Sequence, residues 1–114
     1  MKEKKVYEVL KELGIPMHLR GYECLKQAIL TTLEYPNMMY YITKDLYPDV
    51  ATTLGLTASQ VERNIRHSIT WIFDNTAPEI LHRFFGNGIN MNTGKVSNAH
   101  FIAAVVEYIR MEDK

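Results

Sequence analysis

Cysteine is nearly missing from this chain: Cys24 is the single one among 114 residues. That excludes an internal disulfide and a cysteine-rich zinc site. Tyr22, Leu25 and Ala28 around it mark it as a small core filler rather than a nucleophile, and a reducing, cytoplasmic setting fits best. Net charge is missing as well, because thirteen Lys and Arg offset thirteen Asp and Glu. A zero balance argues against a general nucleic-acid coat. It leaves room for a DNA reader, since the placement of the basic residues is what decides. Long hydrophobic runs are absent too. The longest near-apolar stretch, Phe101 to Val106, is far too short to span a bilayer. No apolar signal-type segment follows the charged residues Met1 to Lys5, so no membrane partner is expected.

What is present describes an ordinary globular domain. Hydrophobic residues make up 46% and charged residues 23%, a balance that excludes a disordered chain. The length suits one domain over residues 1–114 and not comfortably two. Charge is spread unevenly. Residues 1–26 carry six basic and four acidic groups, residues 27–57 one and three, and residues 58–114 six and six. Any nucleic-acid surface must therefore be local.

Apolar residues recur at helical spacing almost throughout. Val6, Val9, Leu10 and Leu13 form a first stripe, stopped at Gly14-Ile15-Pro16. Tyr22, Leu25, Ile29 and Leu33 form a second, ended by Tyr35-Pro36, and Met39, Ile42 and Leu46 a short third. Pro48 reads as the first turn of a fresh helix, where its missing N–H does no harm. That helix carries Val50, Ala51 and Leu54, and Gly55 ends it. Thr57-Ala58-Ser59-Gln60 has the Thr-x-x-Gln form of a capping box, and Ser59 to Glu62 repeats the signal two residues on. Thr57 is the favoured cap. Val61, Ile65, Ile69 and Ile72 then form one buried stripe. Thr76-Ala77-Pro78-Glu79 predicts another capping box, opening a short helix with Ile80, Leu81, Phe84 and Phe85 that stops at Gly86. Residues 86–96 are turn-rich, with room for a short extended piece around Ile89 to Met91. Ser97 caps a last helix whose Phe101, Ile102, Val105 and Ile109 face inward. The sum is an all-α, single compact domain of six or seven helices.

Function is written between about residues 47 and 75. A helix-turn-helix needs a small residue within its first helix, a turn residue that tolerates a left-handed backbone, and apolar locks between the helices. Ala51, Gly55, and the set Val50, Leu54, Leu56, Val61 and Ile65 meet those needs. The second helix of such a unit can lie in the major groove with its N-terminal side chains on base edges. With Val61, Ile65 and Ile69 inward, Gln60, Arg63, Arg66, His67 and Thr70 point outward, with Glu62 and Asn64 at the flanks. Arg pairs with guanine, Gln or Asn with adenine, and Glu accepts from cytosine. Thr57 and Ser59 at the helix start suit phosphate contacts. A glycine-turned helix pair also occurs in ordinary bundles, and Glu62 with Arg66 is a common solvated ion pair.

The strings Ile42-Thr43-Lys44-Asp45-Leu46-Tyr47-Pro48-Asp49-Val50-Ala51 and Thr57-Ala58-Ser59-Gln60-Val61-Glu62-Arg63-Asn64-Ile65-Arg66-His67 resemble the C-terminal effector domain of the stage zero sporulation protein A family, the sporulation response regulators. Gly14 to His18, Gly21-Tyr22, Phe85-Gly86, Ser97-Asn98 and Phe101-Ile102-Ala103 fall at matching places. The resemblance implies an all-helical transcription regulator that binds double-stranded DNA at a short box, often as tandem copies. It implies a recognition helix from about Ala58 to Asn75. Glu62 and Arg63 would contact bases or adjacent phosphates, and Arg66 and His67 would lie near the backbone. Position 60 departs from the family, which usually has Arg there. Gln60 replaces a guanine-reading fork with an amide better suited to adenine. Lys95-Val96-Ser97-Asn98 lacks the proline that tends to follow the lysine, and Lys95 is either a phosphate contact or a solvated loop lysine. The family's contact with the sigma subunit of RNA polymerase would fall around Asp74 to Phe85, and a homodimer on tandem sites is a further implied partner. The family's N-terminal receiver domain does not fit before residue 1. The chain is thus expected to be an excised domain or a stand-alone effector without phosphorylation control.

Other chemistry finds little support. His18, His67, His82 and His100 make no His-Glu-x-x-His pair, and no two lie three or four residues apart, so no metal site is expected. Gly86-Asn87-Gly88 lacks the Gly-Lys-Ser/Thr of a phosphate-cradling loop. No Ser, Cys or Asp stands in a nucleophile context and no carboxylate pair suggests acid–base catalysis. Neither an enzyme nor a cofactor is expected. Met38, Met39, Tyr40 and Tyr41 cannot all face inward, so at least one tyrosine should be exposed and available for a subunit contact. The rival reading is a helical protein-interaction module that binds sigma factor or a partner regulator without DNA. Zero net charge and Gln60 are its supports.

Overall fold

Apolar stripes and the stop residues between them organise the chain into helices that share one core. The computed structural model describes residues 2–86 and 96–112. Its α-helices are α1 (Lys2–Glu12), α2 (Arg20–Glu34), α3 (Tyr47–Leu54), α4 (Ala58–Asn75), α5 (Pro78–Phe85) and α6 (Asn98–Glu112), and no strand occurs among the described residues. The extended piece expected around Ile89 to Met91 lies outside the described residues, as does Lys95.

The first, second, fourth and last stripes are buried as their spacing predicts. Val6, Leu10, Leu13, Leu25, Ile29, Val61, Ile65, Ile72, Phe101, Ile102 and Ile109 have no or almost no exposed surface. Each such aliphatic or aromatic side chain contributes about 1.5–3 kcal/mol when fully buried. Cys24 is buried among them as a core filler. The central helix is α2, which packs on α1, α3, α4 and α6. Its crossing with α4 is very close at Gly21. A Cβ there would stand 1.6 Å from Ser68 Oγ and 2.7 Å from the Asn64 carbonyl oxygen. α5 docks through aromatic rings, with Phe85 centred 5.6 Å from Phe73 and 5.1 Å from Phe101, and Phe84 centred 4.5 Å from Tyr108. Arg83 on α5 also pairs with Glu12 at the end of α1.

Two local expectations are corrected. The third stripe, Met39, Ile42 and Leu46, does not make an α-helix. It becomes a 3-10 helix over Pro36–Tyr41 followed by a π-helical turn over Ile42–Leu46. The Tyr47 N–H reaches the Ile42 carbonyl five residues back, and Pro48, having no N–H, cannot restore the four-residue register at this point. Of the three, Leu46 alone is fully buried; Tyr40 and Tyr41 are both exposed. The second correction concerns Thr76. Ala77, not Thr76, is the N-cap of α5 and supplies no side-chain cap. The Thr76 hydroxyl instead donates to the Leu13 carbonyl at 2.6 Å, closing the end of α1 against the end of α4. The hydroxyl serves as a donor to a distant carbonyl and not as the acceptor of a local N–H.

Among the described residues no helix is long and apolar enough to cross a membrane, and no three His, Cys, Asp or Glu side chains gather as a metal site would need.

Candidate nucleic-acid interface

The geometry of α3 and α4 begins with backbone chemistry. Gly55 ends α3 in a left-handed conformation, φ 71° and ψ 35°, and its N–H bonds the Ala51 carbonyl. The Leu56 N–H reaches the same carbonyl at 2.9 Å. Glycine is needed there for its φ, because nothing lies within 4 Å of where a Cβ would be. Thr57 then turns the chain back into an extended conformation as the N-cap of α4. Only Gly55, Leu56 and Thr57 separate the helices. Val50 and Ala51 of α3 and Val61 and Ile65 of α4 are buried together, with Leu54 and Leu56 half-buried at the rim. This is the helix-turn-helix.

Its second helix begins with the expected capping box, complete in both directions. The Gln60 N–H donates to Thr57 Oγ1 at 3.1 Å, and the Thr57 N–H donates to Gln60 Oε1 at 2.9 Å. Beyond it, Ser59, Gln60, Arg63, Arg66, His67 and Thr70 are exposed, while Val61, Ile65, Ser68, Ile69 and Ile72 are buried. The outward row read from the sequence is thus the outward row of the helix. Its members are not equivalent. Arg66 is tied to Glu62, Nε to Oε2 at 3.0 Å, whereas Arg63 has no acidic partner among the described residues. Glu62 itself is half-buried.

Two residues of this site were not singled out by spacing. Asn98, the first residue of α6, donates through Nδ2 to the Tyr47 hydroxyl at 3.0 Å and to the Glu62 carbonyl at 3.2 Å. One amide thereby joins the starts of α3 and α6 to the first turns of α4. Burial pushes the Tyr47 phenol above its ordinary value, the Asn98 bond pulls the other way, and Glu62 adds to the rise; the phenol stays neutral. In the sequence Ser97 reads as a cap and Ser97-Asn98 as a point of family resemblance. No local pattern marks a bond to residues 36 and 51 positions away. Alongside, Ile42, Tyr47, Glu62, Arg66, Val96 and Asn98 border an open groove of about 400 Å³. A second groove, about 340 Å³, is bordered by Met17, His18 and Arg20 with Leu54 and Leu56 of the turn.

A helix-turn-helix whose second helix carries a locked apolar face and an exposed row of hydrogen-bonding and basic side chains is the arrangement that helical DNA-binding domains use. The particular family follows from sequence. Residues 6–109 match the family described as sporulation initiation factor Spo0A C terminal. The chain belongs to that family, one of DNA-binding effector domains of sporulation response regulators and not of enzymes.

Proposed function

We propose that this protein is a sequence-specific transcription regulator that inserts the N-terminal half of α4 into the DNA major groove. The observation that carries the reading is the exposed row on α4, backed by the buried stripe that fixes its orientation. In this reading Gln60, Glu62 and Arg63 meet base edges, and Thr57, Ser59, Arg66 and His67 meet the backbone. Lys95 is a further backbone contact on the strength of the family resemblance. The Asn98 bonds to Tyr47 and Glu62 support it by holding α4 in place, since a reading helix must not rock against its scaffold.

The partner is double-stranded DNA in the cytoplasm, with two copies on tandem boxes. Contact with the sigma subunit would use the surface from Asp74 to Phe85. There Asp74, Glu79, His82 and Arg83 are exposed and Leu81, Phe84 and Phe85 are buried, so a polar contact is what that surface offers.

Fluorescence anisotropy on a duplex bearing a family-type box and on a scrambled duplex, titrated with salt, tests the reading. Tighter binding to the box, weakening as salt rises, is expected from a reader with phosphate contacts. The Glu62–Arg66 pair, which cancels one of the few positive charges on α4, is the feature that favours the rival protein-interaction module. Equal weak binding to both duplexes, together with no site enriched from random sequence, would overturn the DNA reading and turn the choice toward that rival.

A further inference from the structure

A capping box and a base-reading pair make competing demands on the single amide of Gln60. Adenine recognition by glutamine uses both ends of the amide, the carbonyl accepting from N6 and the amino group donating to N7. In the folded protein the carbonyl end is already engaged, because Gln60 Oε1 accepts the Thr57 N–H at 2.9 Å. The reciprocal bond from the Gln60 N–H to Thr57 Oγ1, 3.1 Å, holds the same turn closed. Oε1 keeps a second lone pair, but the cap holds it back against the Thr57 backbone. The amino group is the end left free to turn toward DNA, on a side chain that is exposed at the start of α4.

Building on the major-groove reading above, we infer that Gln60 reads DNA as a donor only. Its carbonyl stays in the cap, and its amino group selects a base that offers acceptors. Guanine presents O6 and N7 and thymine presents O4, so both suit a donor reached without disturbing the helix start. Cytosine presents N4–H₂, a donor facing a donor, and is rejected. Adenine loses its usual advantage: presenting both ends of the amide to N6 and N7 together means turning Oε1 away from the Thr57 N–H, which exchanges one bond for another of like strength. The cap of α4 thus sets the specificity of the residue that completes it.

The test is a site selection from randomised duplexes with the whole chain, followed by anisotropy on single-base-pair variants of the selected box. Both steps use the unaltered protein and Gln60→Glu. One position should favour guanine or thymine over cytosine by about twofold to tenfold, the range for one neutral hydrogen bond, with adenine no better than thymine. In Gln60→Glu that position alone should change to cytosine. One carboxylate oxygen keeps the Thr57 N–H and the other accepts from cytosine N4. Its melting temperature should not fall, since Glu suits the third position of a capping box and the positive end of the helix dipole. Preference for adenine over guanine and thymine at that position would overturn the inference. So would a Gln60→Glu protein whose preferences match the parent at every position. Failure of the unaltered protein to enrich any site is a different result, and ends the DNA-reading proposal itself.

Discussion

Arg63 and Arg66 stand one helical turn apart on α4, yet they start from different states. Arg66 is already held by Glu62 in an exposed pair, with side-chain exposures of 54% and 39%, so its charge is partly compensated and the pair adds only about 0.3–0.5 kcal/mol to stability. Arg63 is exposed and has no acidic partner among the described residues. A free guanidinium fork can give two bonds to one guanine, whereas one tied to a carboxylate serves better as a backbone charge. Arg63→Ala should therefore weaken binding to the selected box by about 1–3 kcal/mol and relax preference at one base pair. Arg66→Ala should weaken all duplexes alike and reduce the salt slope by about 1. Anisotropy on matched and mismatched duplexes separates the two. A larger loss of base preference in Arg66→Ala than in Arg63→Ala would reverse the roles of the two arginines. The sequence showed which side chains point outward, because helical periodicity decides that. Spacing also offered the Thr57–Gln60 capping box and the Glu62–Arg66 pair, and both form. It left open which end of the Gln60 amide and which arginine stay free, because that depends on rotamers.

Among the elements, those held by local chemistry were legible and those held by distant partners were not. The Thr57 cap and the Gly55 stop are local, and both form as read. Thr76 carries the same kind of local signal, but the Leu13 carbonyl, 63 positions away, takes its hydroxyl. The irregular winding of Pro36–Leu46 likewise follows from how two stiff helices and a proline meet, not from the stripe of Met39, Ile42 and Leu46. The crossing of α2 over α4 belongs with these. Gly21 sits within a helix, where alanine would ordinarily be preferred by about 1 kcal/mol. Its reason is Ser68 and the Asn64 backbone, both too close for any Cβ. Gly21→Ala should destabilise the protein by about 1–3 kcal/mol, measured by urea unfolding. Adding Ser68→Ala should restore only part of the loss, since the Asn64 carbonyl oxygen, 2.7 Å from the new methyl, remains. The double variant should also fall short of additivity, as two residues in contact do. Full recovery would mean that the Ser68 hydroxyl alone sets the spacing. The shift of α4 should show as weaker binding to the selected box as well, although Gly21 lies on the scaffold side of α4.

At the scale of the whole molecule, the Cα radius of gyration is 13.1 Å, close to the ~13 Å expected for one domain of this length. One core therefore carries everything, and three weakly acidic groups are sealed against it. Burial raises Tyr22, Cys24 and Tyr47 above their ordinary values of 10.0, 9.0 and 10.0. Desolvation is the first cause in each, and for Cys24 and Tyr47 it prevails over an opposing hydrogen bond, from Asn64 and Asn98 respectively. All three are neutral when protonated, so the folded state holds these protons at a pH where the unfolded chain has begun to release them. Stability is then complete below pH 9, the ordinary cysteine value, and declines as pH rises, because above that point the unfolded state binds fewer protons than the folded one. Urea midpoints should be insensitive to these groups from pH 7 to 8.5 and fall progressively from pH 9 to 11. In Cys24→Ala, whose midpoint will be lower throughout from the loss of core packing, the decline should begin about one pH unit later, at the tyrosines. A midpoint that holds level to pH 11 would mean that the phenols and the thiol ionise as readily in the fold as outside it, and that the layer joining α2 and α3 to α4 admits water.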